Sequence, residues 1–457
     1  MIMAMESINP TTGETLASYP EHSVEQVQSA LDAAATAFER WRRVAIGERA
    51  DLARGLADVL DKRTDEWARL MTLEMGKPIA ASRAEIAKCA WLCRYYADEA
   101  PAMLADRHID TGQTRSYVHH EPLGVVLAVM PWNFPFWQVF RFAVPGLIAG
   151  NAGVLKHASN VSGCALAIEE AFSDAGYPLG VFQTILVPGV RVGEILEHPA
   201  VVAATLTGSE TAGRALAAKA GALLKKTVLE LGGSDPYLVL EDADVEAAAV
   251  TCAASRMINS GQSCIAAKRF IVHTAVYDQW LERFVAAMKS VRMGDPLDEE
   301  VGMGPMARVD LRDELHRQVL ASVAAGATLA LGGSIPDLPG AYYPATVLTE
   351  VVRGMPAYDE ELFGPVAAVS RVTSEEEGIA MANDTPYGLG AAVFTTDLER
   401  GERIAAEHLE AGACFVNASV ASDPRLPFGG IKLSGYGREL SDLGIVEFVN
   451  QKTVVVA

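Results

Sequence analysis

One cysteine and one glutamate stand in settings that suit covalent catalysis. Cys264 is preceded by Gly261, Gln262 and Ser263, and the small side chains among them leave a substrate carbonyl room to reach the sulfur. Upstream, Glu230 is flanked by leucines and followed by two glycines. Only a thiolate attacks a carbonyl well, so the thiol needs an activating group. The two residues together predict a thiol nucleophile assisted by a buried acid.

The six cysteines argue against metal and disulfide chemistry. They form no CxxC pair and have no histidine cluster at ligand spacing, so the sequence predicts neither a zinc site nor a disulfide framework. Buried cysteines mostly serve as small hydrophobes, which is the competing interpretation for any one of them and the expected role of five. A reducing, cytoplasmic environment fits this pattern. The cysteines are Cys89, Cys93, Cys164, Cys252, Cys264 and Cys414.

Composition bounds the class of protein. The chain has 457 residues, and 50% of them are hydrophobic. A chain of this length is longer than a single hydrophobic core usually supports, so two or three closely packed globular domains are predicted. A net charge of −20 disfavours nucleic-acid binding, and any anionic ligand must be held locally. Residues 1–10 lack a basic segment with a sustained apolar core, and no apolar run is long enough for a membrane span. The sequence therefore predicts a soluble cytoplasmic protein with no membrane or nucleic-acid partner.

The elements that must position the two residues follow from hydrophobic spacing. In 23–41 the apolar residues recur at intervals of three and four and predict a helix, and two more helical stretches follow, to about residue 100. This amino-terminal part precedes short apolar strands that alternate with helices, at 124–130, 152–156, 181–187, 201–207 and 227–231. The alternation predicts an α/β fold with a doubly wound parallel sheet, in which ligands bind beyond the carboxyl ends of the strands. A second α/β series covers about 235–430, and 444–457 predicts a terminal strand whose apolar residues need a partner surface.

Six short motifs occur in one order along the chain. They are Pro-Trp-Asn-Phe-Pro at 131–135, Thr-Gly-Ser at 207–209, Glu-Leu-Gly-Gly at 230–233, Gly-Gln-Ser-Cys at 261–264, Glu-Leu-Phe-Gly-Pro at 361–365 and Pro-Phe-Gly-Gly-Ile-Lys at 427–432. Each is weak alone, but the ordered set strongly resembles the aldehyde dehydrogenase superfamily over essentially the whole chain. The stretches 155–159, 230–236 and 422–427 resemble its bacterial succinate semialdehyde dehydrogenase branch.

The resemblance implies three structural units. A Rossmann-like cofactor-binding domain would comprise 1–107 and 123–230, an α/β catalytic domain 231–432, and a small oligomerisation element 108–122 together with 433–457. A homodimer or homotetramer is expected, with the terminal strand at the subunit interface.

The resemblance also assigns the catalytic steps. Cys264 would attack the aldehyde to give a thiohemiacetal, which loses hydride to the nicotinamide and becomes an enzyme thioester. Asn133 and the backbone N–H of Cys264 would stabilise the oxyanion. Glu230 would be the general base that activates Cys264 or the hydrolytic water, with its pKa raised by apolar neighbours. Relatives that pass the thioester to coenzyme A generally lack this acid, so release of a free acid is favoured. The alternatives are a turn residue for Asn133, between two prolines, and a solvent-facing acid for Glu230.

One group of cofactor contacts is implied at the pyrophosphate and the nicotinamide. Ser209 follows a strand and begins a helix, where its hydroxyl and neighbouring N–H groups suit a pyrophosphate. By resemblance, Trp132 lines the cofactor cleft, while Glu361 and Phe363 hold the nicotinamide ribose and ring.

At the other end, Lys156 matches the family's lysine near the adenosine ribose. Three residues later, strongly NAD-preferring members often carry a glutamate, but this chain has Ser159, which leaves room for a 2′-phosphate without repulsion. NADP is therefore the expected cofactor, and NAD is the alternative. The competing interpretation of Ser159 is that it only caps the next helix, 163–175.

Arg141 lies in an apolar stretch, where an unpaired cation would be costly. The resemblance places it in the substrate tunnel, where succinate semialdehyde dehydrogenases have an arginine that binds the substrate carboxylate through a bidentate fork. A structural ion pair is the alternative. Phe142 stands where many relatives have a lysine, which puts a proton relay at that position in doubt.

Other groups could assist Arg141. The second arginine of some relatives corresponds to Ile258 here, while Arg256 lies two residues further from the nucleophile and need not point inward. Hydroxyls from Ser263, Ser419 or Ser422 are the remaining candidates.

These assignments lead to one predicted activity. The chain is expected to oxidise succinate semialdehyde to succinate with NADP, and a small aldehyde is its expected partner. Glutarate semialdehyde or an uncharged medium-chain or aromatic aldehyde is the alternative substrate. A cofactor-free cysteine hydrolase would need a histidine or equivalent base, and none of the nine histidines falls in a matching motif. A non-catalytic protein of this fold would not need Cys264, Glu230 and Asn133 together.

Overall fold

The structure, a computed structural model, describes residues 4–457. The strands are β1 (Ala4–Ile8), β2 (Thr15–Pro20), β3 (Arg107–His108), β4 (Arg115–Pro122), β5 (Val125–Met130), β6 (Ala152–His157), β7 (Phe182–Thr184), β8 (Val201–Thr207), β9 (Lys226–Glu230), β10 (Pro236–Val239), β11 (Arg269–His273), β12 (Thr328–Leu331), β13 (Thr346–Thr349), β14 (Val366–Val372), β15 (Gly390–Phe394), β16 (Ala413–Val416), β17 (Gly435–Tyr436) and β18 (Val449–Val456). The α-helices are α1 (Val24–Trp41), α2 (Ile46–Lys62), α3 (Thr64–Met75), α4 (Ile79–Met103), α5 (Trp137–Ile148), α6 (Ser162–Asp174), α7 (Val192–Glu197), α8 (Glu210–Ala222), α9 (Val245–Met257), α10 (Tyr277–Ser290), α11 (Val309–Ala324), α12 (Pro356–Asp359), α13 (Glu375–Asn383), α14 (Leu398–Arg403) and α15 (Ser441–Ile445).

A six-stranded sheet forms the first α/β unit. Its strand order is β17-β9-β8-β5-β6-β7, and all neighbours are parallel except β17, which pairs antiparallel with β9. β5 and β6 are buried almost throughout, as parallel strands covered on both faces must be. The predicted doubly wound parallel sheet is confirmed. The strand predicted at 181–187 is shorter, because only the three residues of β7 pair as a strand.

The amino-terminal helices pack around this sheet. α1 begins after Ser23, whose side chain forms a capping box with Gln26, and the helix predicted at 23–41 is confirmed. Three helices follow instead of the predicted two. Only Arg63 separates α2 from α3, without the glycine or proline that marks a break in sequence. Among the helices of the described chain, none combines the length and apolar character that a membrane span requires.

A seven-stranded sheet forms the second α/β unit. Its order is β12-β13-β14-β11-β10-β15-β16, and β12 is its antiparallel member. Helices α9 and α10 pack together beside it, where Trp280 and Phe284 stack with ring centroids 4.5 Å apart, against Phe270. Because α9 leads directly into the segment that carries Cys264, this packing fixes where that segment starts.

A three-stranded sheet, β18-β4-β3, completes the fold. β18 pairs antiparallel with all of β4, from Val449 opposite Pro122 to Val456 opposite Arg115, and Val455 and Val456 stay exposed. The prediction assigned 433–457 as a whole to the oligomerisation element, whereas β17 joins the six-stranded sheet and α15 packs against α4 and α5. The division of the chain into domains stays a prediction.

Candidate active site

The carboxyl edge of the six-stranded sheet gathers residues from several motifs. Trp132 and Asn133 follow β5, Lys156 lies near the end of β6, Ser209 follows β8 and Glu230 ends β9. These four strands are neighbours in the sheet. Since the carboxyl ends of parallel strands lie at the same edge, the fold brings these residues to one side of the sheet.

The loop that carries Cys264 has an unusual backbone. After α9, the residues Asn259, Ser260 and Gly261 have φ angles of 53°, 55° and 75°. Left-handed backbone is unfavourable for residues with a Cβ, so the loop depends on outside restraint. Ser260 Oγ accepts a hydrogen bond from the Gly304 N–H at 3.2 Å, which ties the loop to the second α/β unit.

Arg256 belongs to this restraint and not to a ligand site. It is fully buried, and its Nη2 donates to the Gly261 carbonyl at 2.5 Å. Ile258, at the position of the second arginine of some relatives, does line a cavity, which is described below. The structure therefore offers no second arginine from this segment to a substrate.

Asn133 is held on both sides of its amide. Its Nδ2 donates to the Gln262 carbonyl at 3.0 Å, and its Oδ1 accepts from Gln138 Nε2 at 3.1 Å. The Asn133 carbonyl also accepts from Asn259 Nδ2 at 2.7 Å. Nδ2 carries two hydrogens, and one of them has no acceptor within residues 4–457. The Asn133 amide is therefore held in place, is 4% exposed, and keeps one free N–H donor. A residue that only forms a turn would not need such a donor.

Cys264 lies between two cavities of about 260 Å³ each. The first, here the Ser209 cavity, is lined by Trp132, Asn133, Ser209, Glu361 and Phe363. The second, here the Arg141 cavity, is lined by Lys88, Trp137, Arg141, Ser263, Ser422 and Phe428. Cys264 and Gln138 line both. A thiol at this junction can contact a substrate in one cavity and stay open to a second reactant in the other.

The far wall of the Ser209 cavity is fixed by ionic and aromatic contacts. Glu361 Oε1 accepts from the Gly233 N–H at 3.1 Å and lies 3.2 Å from Lys268 Nζ. The rings of Trp132 and Phe363 meet edge to face, with centroids 5.8 Å apart. The structure thus brings together all three residues predicted at the nicotinamide end, and Glu361 keeps a second carboxylate oxygen for a ligand hydroxyl.

The residues predicted at the pyrophosphate and at the adenosine ribose lie at the ends of β8 and β6, where helices follow. Ser209 is the N-cap of α8 and accepts from the Ala212 N–H at 3.3 Å. Lys156 is 7% exposed and forms no ion pair with any residue of 4–457, and burial lowers its pKa. Ser159 begins a 3₁₀ helix, and α6 starts without a side-chain cap, so the structure shows no capping role. Lys156 and Ser159 do not line the Ser209 cavity; Ser159 faces a separate cavity of about 610 Å³.

The thiol of Cys264 is protonated near neutral pH. Burial raises its pKa to about 12, against the lowering effect of the cations Lys268 and Arg141, while Glu230 and Glu361 raise it further. Although Cys264 keeps some exposure to the two cavities, the surrounding protein desolvates a thiolate. The nucleophile therefore needs a base to remove its proton.

Glu230 is a buried acid that lines neither cavity. It is 2% exposed, and neither carboxylate oxygen has a hydrogen-bond partner in the described chain, so the solvent-facing alternative is wrong. Burial and the nearby Glu439 raise its pKa well above the usual range, and Arg141 opposes them. A Cβ at Gly429 would lie 2.7 Å from the Gly437 carbonyl oxygen and 2.8 Å from Glu230 Oε1, so a larger residue there would crowd both the backbone and the acid.

Arg141 has an ion-pair partner inside the protein. Its Nε lies 2.7 Å from Oε2 of Glu439, and both side chains are at most 5% exposed. The N–H is not directed at the oxygen, so Nε and Nη2 have no hydrogen-bond partner among residues 4–457. The guanidinium carbon lies 4.7 Å from the centroid of Phe428. The structural ion pair was the alternative interpretation of Arg141, and the structure combines it with a place in the cavity wall.

Because Arg141 and Glu439 form a buried ion pair, replacing Arg141 is expected to lower stability strongly. Changing Arg141 to Met leaves Glu439 buried without a counter-charge, and such a change typically lowers the free energy of unfolding by about 3–5 kcal/mol. Adding Glu439→Gln removes the stranded charge, so the double variant is expected to regain most of the loss. Thermal denaturation of both proteins checks this. Equal melting temperatures for the single and double variants would contradict the pairing.

The predicted hydroxyl groups divide between the cavity and its surroundings. Ser422 and Ser263 line the Arg141 cavity, and Ser263 Oγ has no hydrogen-bond partner within the described residues. Ser419 lines neither cavity, and its Oγ lies 3.5 Å from the Thr251 carbonyl. Phe142 packs edge to face on Phe448, so it fills apolar space where many relatives have a lysine.

Three residues of the site were not predicted from the sequence. Lys88 on α4 and Gln138 on α5 line the Arg141 cavity, and Glu439 pairs with Arg141. Lys88 and Glu439 lie outside the motifs, and no local pattern distinguishes them from surface charges. For Gln138 the signal was its place five residues after Asn133, in the first turn of α5.

Comparison with known proteins gives consistent results. Residues 3–454 match the model of the aldehyde dehydrogenase family. The chain is 51% identical to a probable succinate-semialdehyde dehydrogenase [NADP(+)] of Synechocystis sp. and 48% identical to succinate-semialdehyde dehydrogenase [NADP(+)] 1 of Mycobacterium tuberculosis, each over 100% of both chains. The crystal structure of succinic semialdehyde dehydrogenase from Streptococcus pyogenes in complex with NADP+ superposes with a TM-score of 0.97 at 37% identity, covering 99% of this chain and 100% of that one.

Proposed function

The chain belongs to the aldehyde dehydrogenase family, and we propose that it oxidises succinate semialdehyde to succinate with NADP+ as hydride acceptor. The observation that carries this proposal is the position of Cys264 between a cavity lined by Trp132, Ser209, Glu361 and Phe363 and a cavity lined by the cations Arg141 and Lys88. Relatives named as NADP-dependent succinate-semialdehyde dehydrogenases, identical at about half of their positions over their full lengths, support it.

The residues of the carboxyl edge fit a phosphorylated dinucleotide. Lys156 is a buried cation without a carboxylate partner in the described chain, and Ser159 adds a hydroxyl without a negative charge. When bound, NADP+ supplies the hydride acceptor. Trp132, Phe363 and Glu361 would hold the nicotinamide end, Ser209 the phosphates, and Lys156 with Ser159 the 2′-phosphate.

The first chemical step is attack by Cys264 on the aldehyde carbon. The C–S bond forms, the carbonyl electron pair moves to oxygen, and the thiol proton passes to a base, which is either solvent water in the cavities or Glu230. The free Asn133 N–H and the Cys264 backbone N–H would donate to the oxyanion. Loss of one such donor typically costs about 100- to 1,000-fold in rate. Once the hydride has left, the C=O bond re-forms and the acyl group remains on sulfur as a thioester.

The second step is hydrolysis of this thioester. Glu230, once any proton taken from the thiol has been released to solvent, accepts a proton from water, the oxygen attacks the acyl carbon, and the C–S bond breaks with the electron pair returning to sulfur. The raised pKa of Glu230 makes it a stronger base once it is ionised. Because the chain carries this acid, which relatives that pass the thioester to coenzyme A generally lack, release of succinate to water is favoured over transfer to another thiol.

Initial-rate kinetics test the proposal. We expect kcat/KM to be highest for succinate semialdehyde with NADP+, in a comparison with glutarate semialdehyde and butanal, each assayed with NADP+ and NAD+. Preference for butanal would overturn the carboxylate part of the proposal, and preference for NAD+ would overturn the cofactor part. Absence of NADPH and NADH formation with all three aldehydes would overturn the dehydrogenase activity itself.

A negative charge at Ser159 is expected to reverse cofactor preference. Ser159→Glu would place a carboxylate three residues from Lys156, where it would repel a 2′-phosphate and compete for the lysine. We expect kcat/KM for NADP+ to fall by about 10- to 100-fold, and that for NAD+ to change much less. Ser173→Glu, which adds the same charge on the exposed surface of α6, is the matched control. Equal losses with both cofactors would contradict a 2′-phosphate site at Ser159.

The protein is also proposed to be a cytoplasmic homo-oligomer. β18 pairs with β4 along one edge, and its last two residues, Val455 and Val456, are 54% and 38% exposed. A second copy of the chain would cover this apolar strand and its unpaired edge. Light scattering on the purified protein distinguishes a monomer from a dimer or tetramer.

A further inference from the structure

One cation of the Arg141 cavity has no carboxylate partner. Lys88 lies on α4, and its Nζ donates to Ser422 Oγ at 2.9 Å and sits 4.4 Å from the ring centroid of Trp137. Within residues 4–457 no carboxylate oxygen approaches it to 4.0 Å. Lys88 is half-buried in the cavity wall, and an ammonium partly withdrawn from water without a counter-ion is costly, so its presence here calls for an explanation.

The other charges of this cavity are compensated. Arg141 is 2.7 Å from Glu439, and Glu85, which also lines the cavity, is bound to the fully buried Lys77. Asp423, the other carboxylate whose field reaches Lys88, is held by Arg425 at 2.6 Å. The uncompensated charge of the cavity is therefore a single positive one, and it belongs to Lys88.

Hydrogen-bond donors without acceptors lie in the same cavity wall as Lys88. Ser422 Oγ accepts from Lys88 and, at 3.2 Å, from Trp137 Nε1, so both of its lone pairs are used and its own proton is left to donate. Arg141 Nη2 and Ser263 Oγ, in the same cavity wall, have no partner among the described residues. A site with spare donors and one excess positive charge is complementary to a monoanion with acceptor oxygens.

We propose that Lys88, together with the Ser422 hydroxyl, binds the carboxylate of the substrate and supplies the net charge that selects a carboxylated aldehyde. Arg141, whose charge Glu439 neutralises, contributes a donor to the same carboxylate. This assignment rests on the proposed function, because it presupposes a semialdehyde substrate. It adds a specificity-determining residue on α4, outside the motif-bearing loops.

The test compares succinate semialdehyde with butanal, which has the same number of carbons and no carboxylate. The readout is the ratio of kcat/KM for the two aldehydes in the wild type, Lys88→Met and Lys88→Arg. Losing a charged hydrogen bond to a carboxylate should lower this ratio about 10- to 100-fold in Lys88→Met. Lys88→Arg keeps the positive charge, so its ratio of kcat/KM values should stay close to that of the wild type. Lys289→Met, an exposed lysine of α10, is the control and should leave it unchanged.

The outcomes separate this assignment from the proposed function. A wild type that favours succinate semialdehyde, with a ratio that Lys88→Met leaves unchanged, overturns the role of Lys88 and leaves the function standing. A wild type without preference for succinate semialdehyde overturns both. A fall in kcat with an unchanged ratio would assign Lys88 a structural role and so also overturns the proposal.

A second measurement needs no variant. Burial and the neighbouring Arg141 lower the pKa of Lys88 to about 8, against Cys89, Glu85 and Asp423, which favour its charged form. As pH rises above about 8, Lys88 loses its charge, so the wild-type KM for succinate semialdehyde should rise while that for butanal stays level. Parallel changes in the two KM values would overturn the proposal even if Lys88→Met failed to fold.

Discussion

Replacing Cys264 with alanine is expected to abolish aldehyde oxidation. Without the sulfur no thiohemiacetal can form, and removal of a nucleophile that acts with its base as a unit typically lowers kcat by about 10⁴-fold or more. Alanine fits the space of the thiol, so the two cavities and the restrained loop from Asn259 to Gly261 should persist. Formation of NADPH with succinate semialdehyde measures the effect, and binding of NADP+ by calorimetry shows that the variant is folded.

Cys414→Ala is the matched control for this prediction. Cys414 is the other cysteine that is not fully buried, and it lies on β16 in the seven-stranded sheet, outside the walls of both cavities. Its variant should keep wild-type kinetics. Substantial NADPH formation by Cys264→Ala would exclude a covalent route through this thiol.

Replacing Glu230 with glutamine is expected to separate the two halves of the reaction. The amide keeps the shape of the acid but cannot take a proton from water, so the thioester should accumulate. The variant should still release NADPH in its first turnover, while its steady-state rate falls by about 100- to 10,000-fold. Rapid-mixing measurement of NADPH absorbance resolves the two phases. Loss of the first turnover as well would mean that Glu230 is also required to deprotonate Cys264.

The pH dependence of the wild type should follow the same two groups. Burial raises the pKa of both Cys264 and Glu230, so both hold their protons to higher pH than free groups do and lose them as pH rises. Since the reaction needs the ionised forms, the steady-state rate should increase with pH and decline as pH falls. Glu439→Gln removes a negative charge beside Glu230 and leaves Arg141 uncompensated. Both effects lower the pKa of Glu230, so the rise in rate should move to lower pH.

The sequence predicted the parts of the site that adjoin short motifs. Cys264, Asn133, Trp132 and Phe363 meet at one junction because strand ends and tight loops carry them, and such elements leave local signals in the sequence. The helix at 23–41 and the parallel sheet followed from hydrophobic spacing for the same reason.

The electrostatics of the site could not be predicted in this way. Whether Arg141 is a free cation depends on Glu439, which reaches it from the far end of the chain, and Lys88 joins the cavity from a helix near the other end. Such pairings follow from tertiary packing, and no local period or spacing encodes them. From the sequence, Arg141 was expected to bind the substrate carboxylate. In the structure Glu439 balances the charge of Arg141, and the excess positive charge of the Arg141 cavity belongs to Lys88.

Mass spectrometry of the Glu230→Gln variant tests the central claim most directly. The protein is mixed with succinate semialdehyde and NADP+, quenched in acid and digested, and the peptide that contains Cys264 is analysed. A succinyl thioester on Cys264, absent when NADP+ is omitted, is the predicted result. NADPH formation with an unmodified Cys264 peptide, or with the acyl group on another residue, would contradict covalent catalysis by this cysteine.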